Sequence, residues 1–193
     1  MPRVKLFDQE KALDKAVELF WKKGFHATSI QDLCNHLELS RSSLYDTFGG
    51  KEALFMKALE QYKKQGAADY ERVEKLLDHS VRDFLRSFFY QEFDKPQVAD
   101  HQGCLLANTT AELGNENTEV TANLQSSMES FVESFTTIIA SAQQRGEVPA
   151  ERDARALAEH LYLFYNGFKV VSKITDMERV KQMIDTQLDL LFA

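Results

Sequence analysis

Within its first fifty residues the chain lays down three short runs of apolar residues at helical spacing, each closed by its own stop signal. Leu13, Ala16, Val17, Phe20 and Trp21 recur at three- and four-residue intervals after Asp8, and Gly24 supplies the stop. A second helix is expected to open at Thr28, where Gln31 three residues on completes a capping box, and to bury Ile30, Leu33, Cys34 and Leu37. After a break at Glu38-Leu39, Ser40 is placed to cap a third helix, Arg41 to Phe48, with Leu39 and Leu44 as its hydrophobic staple. Gly49-Gly50 ends that helix, and Lys51 opens a fourth that runs through Phe55, Leu59 and Tyr62.

The rest of the chain continues in the same idiom with longer elements. Helices are expected over Ser80–Phe93, Gln102–Leu113, Val120–Arg145, Arg152–Lys173 and Asp176–Leu191, the last behind a Thr175–Glu178 capping box, with loops at Pro96, Gly114-Asn115 and Gly146 to Pro149. Only 8 Gly and 3 Pro occur in 193 residues, too few for a hairpin-rich fold. The expected class is therefore all-α, with about nine helices: an N-terminal three-helix unit over residues 1–50 and a helical domain over 51–193. Two glycines are all that join the third helix to the fourth, so the two parts are expected to share the fourth helix without a flexible linker.

Thr28–Leu37 and Ser40–Phe48 have the spacing of a helix-turn-helix. In such a motif the second helix enters the major groove of DNA. Its outward positions here are Arg41, Ser42, Ser43, Tyr45 and Thr47, all hydrogen-bonding residues suited to base edges and phosphates, while Leu44 and Phe48 face the core. Thr28, Ser29 and Lys51 stand at helix N-termini, where free backbone N–H groups hold a phosphate. Helix pairs of this length also occur as ordinary packing elements, so spacing alone leaves the matter open. The net charge of −7 does not exclude DNA: residues 1–51 carry eight Lys/Arg against seven Asp/Glu, and the acidity lies downstream.

The stretch Ala16-Val17-Glu18-Leu19-Phe20, then Lys23-Gly24-Phe25, Thr28-Ser29-Ile30, and above all Leu44-Tyr45-Asp46-Thr47-Phe48-Gly49-Gly50-Lys51-Glu52-Ala53-Leu54, resembles the N-terminal domain of the TetR family of bacterial repressors. The resemblance covers roughly residues 8–56. It implies a homodimer formed through the last two helices (152–173 and 176–191), double-stranded operator DNA as partner, and a small-molecule effector that lowers operator affinity. The family's DNA contacts carry over best to Thr28, Ser29, Arg41, Ser42, Ser43, Tyr45 and Lys51. Two positions depart from the pattern. Glu38 stands where the family usually has a turn glycine, which demands a strained turn or a local change, and Asp46 stands where many members have His, so it is not carried over as a contact.

The effector must be read from the residues. Phe88, Phe131, Phe135, Tyr162 and Tyr165, with Asn108, Asn166 and Cys104, are expected to line an apolar pocket with a few polar anchors. Taken singly, each aromatic fits a packed core equally well. A hydrophobic or aromatic, uncharged effector follows if they do form a pocket. Gly103 to Leu113 is also similar to a segment of a TetR subgroup that includes electrophile-sensing repressors, and a cysteine at a helix start has its thiolate favoured by the helix dipole. Cys104 is thus a sensor or a small buried hydrophobe, while Cys34 lies on the buried stripe of the second helix. The competing function is a helical thiol-based redox protein centred on Cys104, with the N-terminal helices as scaffold.

His101-x-x-Cys104 and Cys34-x-His36 are isolated metal-like spacings without a second pair, so no metal and no cofactor is expected. No phosphate-binding glycine loop or nucleophile elbow appears, and no enzyme activity is expected. No apolar run is long enough to cross a membrane, and Met1 to Asp8 lacks a signal-peptide pattern; with two isolated cysteines this suits the cytoplasm.

Overall fold

The computed structural model describes residues 7–74, 80–93 and 102–193, with the backbone alone at 67–74 and 93. Pro96 and His101 lie outside these residues. Nine helices and no strand occur among the described residues: α1 (Gln9–Lys23), α2 (Ile30–Leu37), α3 (Arg41–Phe48), α4 (Lys51–Glu74), α5 (Val81–Phe93), α6 (Leu105–Leu113), α7 (Thr118–Gln144), α8 (Ala154–Val171) and α9 (Met177–Phe192).

Most of the helices start where a side-chain oxygen takes up an otherwise orphaned backbone N–H, α6 behind Cys104 being an exception. Asp8 caps α1, Asn117 caps α7 and Asp153 caps α8. Several starts differ from the sequence expectation by one to three residues, those of α2 and α9 because a neighbouring side chain is better placed. Ser29, not Thr28, caps α2: its hydroxyl accepts the Asp32 N–H, and Asp32 in turn accepts the Ser29 N–H. Thr28 is fully buried, its hydroxyl donating to the Gly24 carbonyl at 2.6 Å, and Gln31 turns instead to Asn35. Asp176, not Thr175, caps α9 by accepting the Arg179 N–H. α6 opens at Leu105 rather than Gln102, because Gly103 lies in the left-handed region (φ 70°) and Cys104 is extended.

Two apolar cores run through the described residues. One joins α1 to α4 around Phe20, Leu33, Leu44 and Phe55, with the rings of Phe20 and Phe55 edge-on at 4.9 Å. It extends through Leu105 and Leu113 of α6 into Val120 and Leu124 of α7, so the N-terminal unit and the body share a core. The other packs α5, α7, α8 and α9 around Phe84, Phe89, Val132, Phe135, Leu161, Phe168 and Ile184. Burial of this much aromatic surface is the chief stabilising contribution.

Candidate DNA-reading face and internal cavity

The angle between α2 and α3 is set by one residue. Glu38 adopts the left-handed conformation (φ 59°, ψ 38°), the only non-glycine residue with positive φ among those described. The position costs a side chain energy. Glu38 recovers part of it: the Leu39 N–H reaches the Cys34 carbonyl at 3.0 Å, and the Glu38 carboxylate accepts from Lys15 of α1 at 2.6 Å, which holds its pKa below the ordinary value. The position where the resemblance implies a turn glycine is thus filled by a strained, left-handed glutamate tied to α1.

α3 then presents a polar outer face. Leu44 and Phe48 are buried, while Arg41, Ser42, Tyr45 and Asp46 are exposed and Ser43 and Thr47 half-exposed. The Ser40 hydroxyl caps the helix by accepting the Ser43 N–H and sits within 3.0 Å of the Ser42 and Ser43 hydroxyls. The Arg41 guanidinium lies 5.8 Å from the centre of the Tyr45 ring, which itself leans on the backbone of Gly50. Lys51, at the start of α4, stacks its ammonium 4.2 Å over the Phe25 ring. Ser29 is exposed, but its N–H and hydroxyl both bond Asp32. These bonds and the Lys23 ammonium hold the Asp32 carboxyl well below the carboxylate range, the Ser29 N–H contributing most. The Ser29 side of the α2 N-terminus therefore carries its own anion, and Thr28 offers no surface at all.

In the body, seven of the eight expected pocket residues surround one cavity of ≈ 580 Å³: Phe88, Cys104, Phe131, Phe135, Tyr162, Tyr165 and Asn166. Phe131 and Phe135 stack at 4.0 Å, with Phe88 and Tyr162 edge-on against them. Asn108 is absent from the wall. Its carbonyl oxygen accepts from Lys173 at 2.6 Å and its amide donates to the Gln102 carbonyl, which ties the start of α6 to the end of α8.

Sequence reading missed four contributions to this cavity. Ser126, Ser127, Ser130 and Ser134 form a narrow hydroxyl-bearing strip along α7. Glu92 is buried, accepting from the Tyr165 hydroxyl at 3.0 Å and ion-paired to the buried Lys169. Burial, and then the Glu92 charge, push the Tyr165 phenol well above its ordinary pKa, so it remains a neutral donor. Tyr62 of α4 donates to the Cys104 sulfur at 3.4 Å. Trp21 of α1 closes the end nearest the N-terminal unit, its ring edge-on to Tyr62 at 4.9 Å. The serine periodicity was a readable signal; the others depend on residues forty or more positions apart.

Cys104 is buried, 3% exposed, and Cys34 is buried against α1; neither is in a disulfide. The described residues hold no cluster of three or more His, Cys, Asp or Glu that could bind a metal ion, and no helix among them is long and apolar enough to cross a membrane.

The sequence profile described as bacterial regulatory proteins of the tetR family matches residues 12–58, and the profile of the tetracyclin repressor-like C-terminal domain matches residues 81–187. The chain belongs to the TetR family. It is 31% identical to the uncharacterized HTH-type transcriptional regulator YezE of Bacillus subtilis, across 99% of this chain and 100% of that one. It is 30% identical to the HTH-type transcriptional repressor ComR of Escherichia coli, across 97% of this chain and 90% of that one. Among solved structures, the TetR regulatory protein of Rhodobacter sphaeroides superposes with a TM-score of 0.87 at 19% identity, covering 96% of this chain and 98% of that one. The TetR-family regulator CifR, as a triple cysteine mutant complexed with 26-base-pair operator DNA, superposes with a TM-score of 0.80 at 25% identity, covering 98% and 99%. The all-α architecture expected from sequence is that of this family.

Proposed function

We propose that this TetR-family regulator is a homodimeric repressor that reads a pseudo-palindromic operator with α3 and is released when an uncharged aromatic effector fills the cavity. The polar face of α3 carries the reading: Arg41, Ser42 and Tyr45 stand exposed on a helix whose angle is fixed by the Glu38 turn and whose inner face is anchored by Leu44 and Phe48. Ser43 and Thr47 flank them, and Lys51 and the first-turn N–H groups of α2 beyond Ser29 hold the phosphates on either side. CifR, which superposes over the whole chain, is itself seen on operator DNA. A protein with this task works in the cytoplasm, where the DNA is.

The dimer is supported by an unpartnered apolar stripe. Leu163 (69% exposed), Gly167 and Val170 (54%) lie on one face of α8, continued by Ile174 (86%), beside Met183 and Leu190 (65%) on α9. Isolated exposed leucines are ordinary, but a run of this kind across two adjacent helices marks an interface. Two copies joined there set two α3 helices about 34–36 Å apart, one turn of DNA, or a multiple of it. Effector binding acts by changing that separation through α4, which begins at the DNA face and lines the cavity with Tyr62 and Gln65.

The test is fluorescence anisotropy with the intergenic DNA beside the protein's own gene, at near-physiological salt, in competition with unrelated DNA. Binding that prefers the former and weakens steeply with salt is expected, and Arg41→Ala should weaken it while leaving the dimer intact in sedimentation. Equal affinity for both DNAs would sink the proposal. The thiol-protein alternative is not favoured: the Cys104 sulfur is buried and already bonded to Tyr62, and serves as part of the cavity wall that an electrophilic effector would meet.

A further inference from the structure

The cavity is not closed by the body alone. Trp21 belongs to α1, the first helix of the DNA-reading unit, and its ring forms part of the cavity wall. Its indole Nε1 is buried and has no hydrogen-bond acceptor. The neighbouring Tyr62 offers its ring at 4.9 Å, a far weaker acceptor than an oxygen, and the Tyr62 hydroxyl is already committed to Cys104. A buried donor left unmatched destabilises the empty protein, and the space beside it is the cavity.

We infer that Trp21 is an effector-binding residue contributed by the DNA-reading unit, and that the effector is a flat, uncharged aromatic molecule bearing a carbonyl-type oxygen that accepts the indole N–H. This rests on the reading of the cavity as the effector site. The chemistry of the walls fits the class. Phe88, Phe131 and Phe135 provide ring faces for a planar body, and the α7 serines opposite are small enough to leave room for it. The hydroxyls of Ser127, Ser130 and Ser134 are each spent on the backbone carbonyl one turn earlier. Among the described residues Glu92 is the one carboxylate on the wall and is matched by Lys169, while Lys63, the one cation there, is paired with Glu60, so the described wall offers an ion no unpaired charge. Among the described polar groups of the wall, the Trp21 N–H is the buried donor left without a partner.

The placement also shortens the route from cavity to DNA. Asp14 of α1 accepts from both Gln61 and Gln65 of α4, at 2.9 and 3.0 Å, so α1 and α4 are locked together beside the cavity mouth. A ligand pulling on Trp21 pulls on the helix against which α2 packs. Contact with the effector is therefore made by the DNA-reading unit itself.

Two probes separate the donor from the apolar space: 2-acetylnaphthalene and 2-ethylnaphthalene, alike in shape but with and without the carbonyl. Calorimetric titration of the full-length protein should show the acetyl compound bound about tenfold tighter, the ratio expected for one buried donor gaining its acceptor. Trp21→Phe keeps the ring and removes the N–H; it should bring the ratio to near one without changing affinity for the ethyl compound. Its melting temperature and operator affinity in the absence of ligand verify that it folds. The inference is overturned if the wild type binds neither probe, binds both equally, or if the preference survives in Trp21→Phe. The wild-type ratio stands as a test even where the variant fails to fold. Loss of operator binding by the wild type would instead strike the repressor reading and leave the ratio to stand alone.

Discussion

The carboxylate of Glu112, late in α6, accepts the backbone N–H of His26 at 2.7 Å and that of its neighbour Phe25 at 2.9 Å. Two successive amides of the α1–α2 turn are thus held by one side chain from the body, and Gly24 beside them has no room for a Cβ against that carboxylate. Since Cys104 on the cavity wall directly precedes α6, the helix from Leu105 to Glu112 connects the cavity to the turn that precedes α2.

Glu112→Ala should destabilise the protein by about 1–2 kcal/mol, because it strands the part-buried Phe25 amide and leaves the exposed His26 amide to water. Urea unfolding gives the number. Glu112→Gln keeps one acceptor oxygen and should lose less. A loss equal to that of a surface substitution would mean that the turn is held by other contacts.

Asp32 makes stability depend on acid. Its folded pKa lies below its unfolded value, chiefly through the Ser29 N–H, then the Ser29 hydroxyl and Lys23. A depressed carboxyl contributes stability that is fully present above its unfolded pKa, about 4, and is lost as the pH falls through the folded value. Thermal melting should therefore be flat from neutrality to about pH 5 and fall below pH 4. Asp32→Asn should lower the plateau and make the acid-side fall shallower. An unchanged slope would remove Asp32 from the account.

The left-handed Glu38 separates backbone strain from side-chain pairing. Glu38→Val places a β-branched residue in that conformation and should cost about 1–2 kcal/mol. Glu38→Gly relieves the strain but loses the Lys15 ion pair, which is exposed and screened by solvent, so its melting temperature should be near the wild type or above it. Destabilisation by glycine as large as that by valine would show that the ion pair outweighs the strain.

Lys169 and Glu92 are both buried and face each other at the foot of the cavity. Lys169→Met removes the ammonium beside a buried carboxylate and should cost about 3–5 kcal/mol in chemical unfolding. Pairing it with Glu92→Gln should recover a large part of that loss. Additive losses in the double variant would mean that the two side chains do not stabilise each other.

The order and length of the helices were written locally. Caps, stop glycines and apolar periods act within a few residues of chain, so α1 to α9 were readable, and errors at their starts were errors of one to three residues. Thr28 shows why even those occurred: it has the right chemistry for a cap, but the Gly24 carbonyl one turn back claims its hydroxyl and Ser29 takes the role. The outward face of α3 was equally legible, because burial of Leu44 and Phe48 dictates what remains outside.

The cavity was only half legible for a related reason. Helical period told which aromatics share a face of α5, α7 or α8, and Phe88, Phe131, Phe135, Tyr162 and Tyr165, named on that basis, do line it. It could not tell that Asn108 would be claimed by Lys173, or that a carboxylate at 92 would find a lysine at 169. Least of all could it show that Trp21, on the buried side of the first helix, would wall a space otherwise built by the body. The sequence by itself determined an all-helical chain with a helix-turn-helix at its head, because those features follow from hydrogen bonds and burial within a turn or two of helix. Only the tertiary structure decided where that head meets the cavity, because the contact depends on how α1 and α4 pack together, joined by Asp14 and Gln61 across 47 residues of sequence.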